Sequence, residues 1–212
     1  KCKVSSCSFG RFDIDGKVSN GCECLADANY QSKKGTSCGN FVGVSTVPDN
    51  GTVRYVSGNI MPGEAGDWFR VYAQDLGDTG ASACDQFNFR AWFTSNPSGQ
   101  FVVDLYRGGC AASNALCADQ TTVGWTTNFY GYPYGPQHKT GTKQGLHKPS
   151  PQPMRAGECK CTTSNSNGAS GPGLPGLNMC ANNSAYFYVR VKRKAGVANS
   201  CSNYTLAMKN GG

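Results

Sequence analysis

Phe87-Asn88-Phe89-Arg90-Ala91-Trp92-Phe93 alternates without a break. Phe87, Phe89, Ala91 and Phe93 fall on one side of an extended chain, because successive side chains of a strand point to opposite faces. A turn, Asn96-Pro97-Ser98-Gly99, follows it. Then comes Phe101-Val102-Val103-Asp104-Leu105-Tyr106-Arg107, closed by Gly108-Gly109. Strand, turn and strand at this spacing set the period of the fold. Upstream, Phe41–Val47 and Gly51–Gly58 read as two strands ended by Pro48-Asp49-Asn50-Gly51, and Trp68–Ala73 as a third. Downstream, Thr121–Tyr130, Ala185–Lys192 and Tyr204–Lys209 continue the pattern, and Cys110 and Cys117 bracket a short loop. Seven to nine short strands with almost no helix predict an all-β fold, an antiparallel jelly-roll-like β-sandwich, over residues 41–212. A Gly/Pro-rich insertion occupies 131–178, and residues 1–40 form a small disulfide-rich N-terminal annex.

The composition agrees. The 212 residues include 28 Gly, 10 Pro and 12 Cys, with 16% charged and 11% aromatic residues, which excludes coiled coils and disordered chains. No apolar run reaches the length of a membrane-spanning helix. The cysteines are Cys2, Cys7, Cys22, Cys24, Cys38, Cys84, Cys110, Cys117, Cys159, Cys161, Cys180 and Cys201. An even number at this density predicts disulfides and an oxidising compartment, hence a secreted or cell-surface protein whose leader has been removed. Cys22/Cys24 and Cys159/Cys161 stand too close in the chain to bridge comfortably, so each thiol is expected to find a separate partner. Connectivity beyond that is open.

Charge is uneven. Residues 1–119 carry a net −2 and residues 120–212 a net +9, which together return the +7 of the chain. The basic second part suits acidic polysaccharide or the acidic part of a neighbouring copy. Nucleic acid is not an expected partner of a disulfide-bonded extracellular chain.

Two stretches are candidate binding elements. In Phe12-Asp13-Ile14-Asp15-Gly16-Lys17-Val18-Ser19-Asn20-Gly21-Cys22-Glu23, oxygens of Asp13, Asp15, Asn20 and Glu23 could hold a structural calcium ion. The alternative is an Asp-Gly turn and an Asn-Gly turn between cysteines. No other cofactor is required. The second stretch holds Trp125, Phe129, Tyr130, Tyr132 and Tyr134, with Lys139, Lys143 and Lys148 beyond. Exposed, these aromatics and cations would make a platform for a ligand or a subunit interface; buried, they would anchor the loop. Catalytic signals are few. His138 and His147 lie in the insertion, and no Gly-x-Ser-x-Gly or His-Glu-x-x-His occurs, so no enzyme activity is expected.

Four motifs line up in order: Gly58-Asn59-Ile60 followed by Gly66-Asp67-Trp68-Phe69-Arg70-Val71, then Gln100–Tyr106, Ala185–Val191 and Asn203-Tyr204-Thr205-Leu206. Together they resemble the bacterial pre-peptidase C-terminal domain. That resemblance implies a jelly-roll-like sandwich attached to secreted proteins, often peptidases, and not itself catalytic. It also implies that some relatives bind collagen or glycans and hold calcium near the domain's start. The Asp13–Glu23 stretch resembles short segments of large secreted bacterial proteins. The expectation is a non-catalytic secreted structural or adhesive module, the self-assembling subunit of an extracellular fibre. Its partners would be copies of itself, other extracellular proteins or acidic polysaccharide. The alternative is a glycan- or protein-binding accessory domain of a larger secreted enzyme.

Overall fold

The structure, a computed structural model, describes residues 4–76, 87–126 and 184–211. Within these the protein is all-β. A short ribbon of β1 (Arg11–Phe12) and β2 (Cys24–Leu25) and a single helical turn, α1 (Ala28–Gln31), precede a two-sheet sandwich. Its strands are β3 (Val42–Pro48), β4 (Asn50–Gly58), β5 (Asp67–Gln74), β6 (Asn88–Ser95), β7 (Phe101–Arg107), β8 (Ala115–Gln120), β9 (Thr122–Thr126), β10 (Ala185–Arg193) and β11 (Tyr204–Gly211). One sheet has the order β3-β5-β10-β7-β8, and the other β4-β11-β6-β9. Except between β7 and β8, consecutive sandwich strands lie in opposite sheets.

The alternation read from the sequence decides which side chains meet. Phe87, Phe89 and Ala91 are fully buried, and Phe93 packs partly buried against the same core. The facing sheet contributes Phe69, Val71 and Ala73 from β5, Phe101, Val103 and Leu105 from β7, and Phe187, Val189 and Val191 from β10. Phe89 stacks on Phe187 across the interface with ring centroids 4.3 Å apart. Each such buried side chain contributes roughly 1.5–3 kcal/mol of hydrophobic stabilisation.

Two expectations need correction. The pairing is not wholly antiparallel, because β3 runs parallel to β5. The turn at Pro48–Gly51 carries the chain from β3 into β4 of the other sheet. Two reversals then return β5 to the first sheet in the original direction. The region after Gly109 is also more ordered than a loop and a single strand. β8 and β9 are separate, joined through Thr121 alone, and Asp119 takes a positive φ of 58° beside the crossing.

The annex is stitched to the sandwich. Cys7 bonds Cys22 within it, but Cys24 bonds Cys201 just before β11, and Cys38 bonds Cys110 after β7. Neighbouring Cys22 and Cys24 thus take different partners. A small second core unites buried Cys24 and Ala26 with Met61, which follows β4, and packs Phe12, Ile14 and Tyr30 around them. Cys117 has no disulfide partner among the described residues, and burial pushes its thiol pKa up to about 12. Cys2, Cys84, Cys159, Cys161 and Cys180 lie outside the described residues.

Candidate functional site

In a sandwich, one face of each sheet packs inward and the other is left to solvent or a partner. The outward face of the five-stranded sheet is aromatic and cationic. Strand β5 presents Trp68, Arg70 and Tyr72, and β10 presents Tyr186, Tyr188, Arg190 and Lys192. Asp104 and Tyr106 come from β7. Register places Tyr72 beside Tyr186, Arg70 beside Tyr188, and Trp68 beside Arg190, with Tyr106 and Asp104 completing two of the rows. Tyr72 and Tyr186 pack with ring centroids 5.0 Å apart, and Trp68 and Tyr106 at 5.3 Å. Tyr186 keeps 45% of its surface exposed.

Asp104 is fully buried beneath this face. It accepts hydrogen bonds from Arg190 Nε at 2.8 Å and from the Asp119 backbone N–H at 2.9 Å, and Lys192 Nζ lies 3.2 Å away. Lys192 also pairs with Asp119 at 2.9 Å. Two cations therefore meet two carboxylates, and the group is neutral within itself. Arg190 lies over the Trp68 ring at 5.2 Å. A buried carboxylate is tolerated only when paired and hydrogen-bonded, which this network achieves.

A second cluster lies where annex and sandwich meet. Asp67 is 2% exposed and accepts a hydrogen bond from the Tyr204 hydroxyl at 2.6 Å. Asp27, which caps α1 by accepting the Tyr30 N–H at 2.9 Å, also exchanges hydrogen bonds with Asn59. Glu64 accepts the Met61 N–H. A methyl group placed on Gly58 would meet Asp27 Oδ2 at 2.5 Å, the Tyr204 hydroxyl at 2.7 Å and Asp67 Oδ2 at 3.0 Å, so only glycine fits there. Burial, reinforced by the negative charges of Asp27 and Glu64, pushes the Asp67 carboxyl up to about 8, although its bond from Tyr204 pulls the other way. Burial also raises Glu64, and burial beside Asp67 raises Tyr204. Asp67, the first residue of β5, is thus buried and bonded to a side chain from the last strand.

The four motifs quoted from the sequence meet in pairs through these clusters. Asp67 of the first is bonded to Tyr204 of the last, and Asp104 of the second to Arg190 of the third.

In the annex, carboxylate oxygens of Asp13, Asp15 and Glu23 lie within 4.8 Å of one another. Asp13 accepts the Gly16 N–H, Asp15 that of Lys17, and Glu23 those of Ile14 and Asp15. Asn20 turns its amide nitrogen toward Asp15 Oδ2 at 3.2 Å, and Lys17 Nζ lies 3.1 Å from the same carboxylate. Backbone bonding of loop carboxylates is compatible with a calcium loop, and free lone pairs remain on Asp13 and Glu23. Asn20 donates its amide nitrogen to Asp15, and its Oδ1 could join the three carboxylates in holding the ion.

Of the expected aromatic platform, Trp125 lies on β9 with its backbone paired to Phe89. Phe129, Tyr130, Tyr132, Tyr134, Lys139, Lys143 and Lys148, with His138 and His147, lie outside the described residues. The outward row on β10 was legible as alternation of Tyr186, Tyr188, Arg190 and Lys192. Its neighbours on β5 and β7 come from distant parts of the chain.

Searches against protein-family models, curated proteins and solved structures find no match for this chain. The likeness to the pre-peptidase C-terminal domain rests on the motifs quoted above. Among the described residues no helix is long and apolar enough to cross a membrane.

Proposed function

We propose that this chain is a non-catalytic, secreted adhesive module that binds an extracellular ligand through the outward face of its five-stranded sheet. The observation that carries this reading is the contiguous set of Tyr72, Tyr106, Tyr186 and Tyr188 around Arg70. Rigid aromatic side chains offer large contact area at small entropy cost, and cations among them suit polar or acidic partners. The disulfides among the described residues support an oxidising, extracellular setting. A structural calcium ion at Asp13, Asp15 and Glu23 belongs to the same proposal. Self-assembly into a fibre is a second reading, favoured by the opposed net charges of residues 1–119 and 120–212.

The test is binding of the purified chain to immobilised polysaccharides and collagen, with Tyr72→Ala/Tyr186→Ala as the comparison. The expected result is retention of the wild type on at least one surface and loss of retention in the double variant. Wild-type binding that the double variant keeps would remove the sheet face from the reading. Filaments seen by electron microscopy, with no binding to any surface, would favour self-assembly.

A further inference from the structure

Arg70 differs from Arg190 on the same face and from Arg193 at the end of β10. Its guanidinium carbon stands 4.0 Å from the Phe41 ring centroid and 4.6 Å from that of Tyr186, so it is flanked by two aromatic rings. Among the described residues, no carboxylate forms a salt bridge with it and no acceptor takes a hydrogen bond from it. Arg190 and Arg193 show the contrast. Arg190 is committed to Asp104, and Arg193 donates to Gln100, Ala198, Ser200 and Ile60. Arg70 is half-buried on the central part of the face, between Tyr188 on β10 and Gly43 on β3. Gly43 is exposed, and a methyl group placed on it would have nothing within 4 Å, so the edge beside Arg70 is open.

A guanidinium held between rings has already given up much of its rotamer freedom. Its planar fork of N–H donors stays available and matches the oxygens of a carboxylate or a sulfate. The Asp104–Arg190–Lys192–Asp119 group nearby is neutral, so Arg70 brings an uncompensated positive charge to the surface. Phe41, Tyr186 and Tyr188 supply apolar faces around that charge, and aromatic faces pack against the C–H faces of sugar rings.

We propose that Arg70 is the anion-recognition residue of this face, and that the ligand is an acidic polysaccharide whose carboxylate or sulfate groups dock on the Arg70 fork while neighbouring sugar rings lie on Tyr186 and Tyr188. This rests on the face being the binding surface proposed above and names its ligand class. The whole chain is tested against immobilised polygalacturonate (carboxylated), dextran sulfate (sulfated) and neutral dextran at fixed ionic strength. The variants are Arg70→Gln, Arg70→Lys and Tyr186→Ala. The expected result is binding to at least one acidic polymer and none to dextran. Arg70→Gln should weaken it at least tenfold, and Arg70→Lys should lose most of the affinity because the charge stays but the fork goes. Polygalacturonate against dextran sulfate tells which acid group is read. Unchanged binding in Arg70→Gln with loss in Tyr186→Ala would overturn the Arg70 assignment and leave the face as the binding surface. Unchanged binding in both variants would overturn the face as well. Equal binding to neutral dextran would overturn the acidic ligand class. Matching near-UV circular dichroism of wild type and variants excludes misfolding as the cause.

Discussion

Replacing Asp67 with asparagine should stabilise this protein at high pH and change little at low pH. An exposed aspartate has a pKa of 3.8, whereas burial and the nearby Asp27 and Glu64 carboxylates put Asp67 at about 8. The native state therefore keeps a proton on Asp67 that the unfolded chain releases between about pH 4 and pH 8. For an acid raised on folding, the stabilising contribution is fully present below the unfolded value and is lost as pH rises through the folded one. The slope is about 1.4 kcal/mol per pH unit, so the whole window is worth on the order of 5 kcal/mol. The Asp67→Asn side chain does not titrate and is nearly the same shape. Its amide oxygen can accept from the Tyr204 hydroxyl, which in the wild type bonds Asp67 at 2.6 Å. Urea unfolding followed by tryptophan fluorescence at about pH 4.5, 6, 7.5 and 9 spans the window and measures the difference between wild type and Asp67→Asn. Most other groups titrate in both proteins and cancel; Tyr204 is bonded to Asp67 and Glu64 acts on it through its charge, so any change in their titration counts as part of its effect. The stability difference should shift toward the variant as pH rises, by several kcal/mol across the series. A difference that stays flat, or a variant equally destabilised at the two ends of the series, would show that Asp67 is ionised in the native state and refute the reasoning.

Three further outcomes are expected. Counting only the bonds among the described residues, Cys38–Cys110 already bypasses 72 of the 177 residues between Cys24 and Cys201, leaving a loop of about 105 for Cys24–Cys201 to close. Cys24→Ser/Cys201→Ser should then cost about 5 kcal/mol on the chain-entropy estimate, and a loss under about 1 kcal/mol in denaturant unfolding would count against that link. Asp104→Asn should cost about 3 kcal/mol by leaving Arg190 and Lys192 short of a counter-charge; Asp104→Asn/Arg190→Gln should recover part of it, and purely additive losses in the double-mutant cycle would refute the coupling. Calcium at a hundredfold excess over its dissociation constant should raise stability by about 2.7 kcal/mol, an effect that Asp13→Asn/Glu23→Gln abolishes. Identical unfolding midpoints in calcium and in chelator would show that these carboxylates serve only the turn.

Strand periods were readable because a sandwich buries one side of every strand. That constraint writes itself into alternation, as at Phe87, Phe89 and Ala91, or at Phe187, Val189 and Val191. It failed where the side-chain pattern is weak. Ala115-Leu116-Cys117-Ala118-Asp119-Gln120 lacks β-branched residues, and β8 takes its strand form from pairing with β7 at the sheet edge. The parallel course of β3 was invisible for a different reason, since direction depends on which sheet each strand joins.

Local sequence therefore settled most of the sandwich strands, their inward faces and the need for covalent stitching, because those follow from burial and from cysteine chemistry along the chain. Tertiary structure alone decided the partners. It brought Asp67 to Tyr204, 137 residues away, and Asp104 to Arg190. It set Arg70 between the rings of Phe41 and Tyr186, and tied Cys24 to Cys201. Such contacts arise from strand order and register between distant segments, where energies of only a few kcal/mol choose among pairings that the one-dimensional pattern leaves equal.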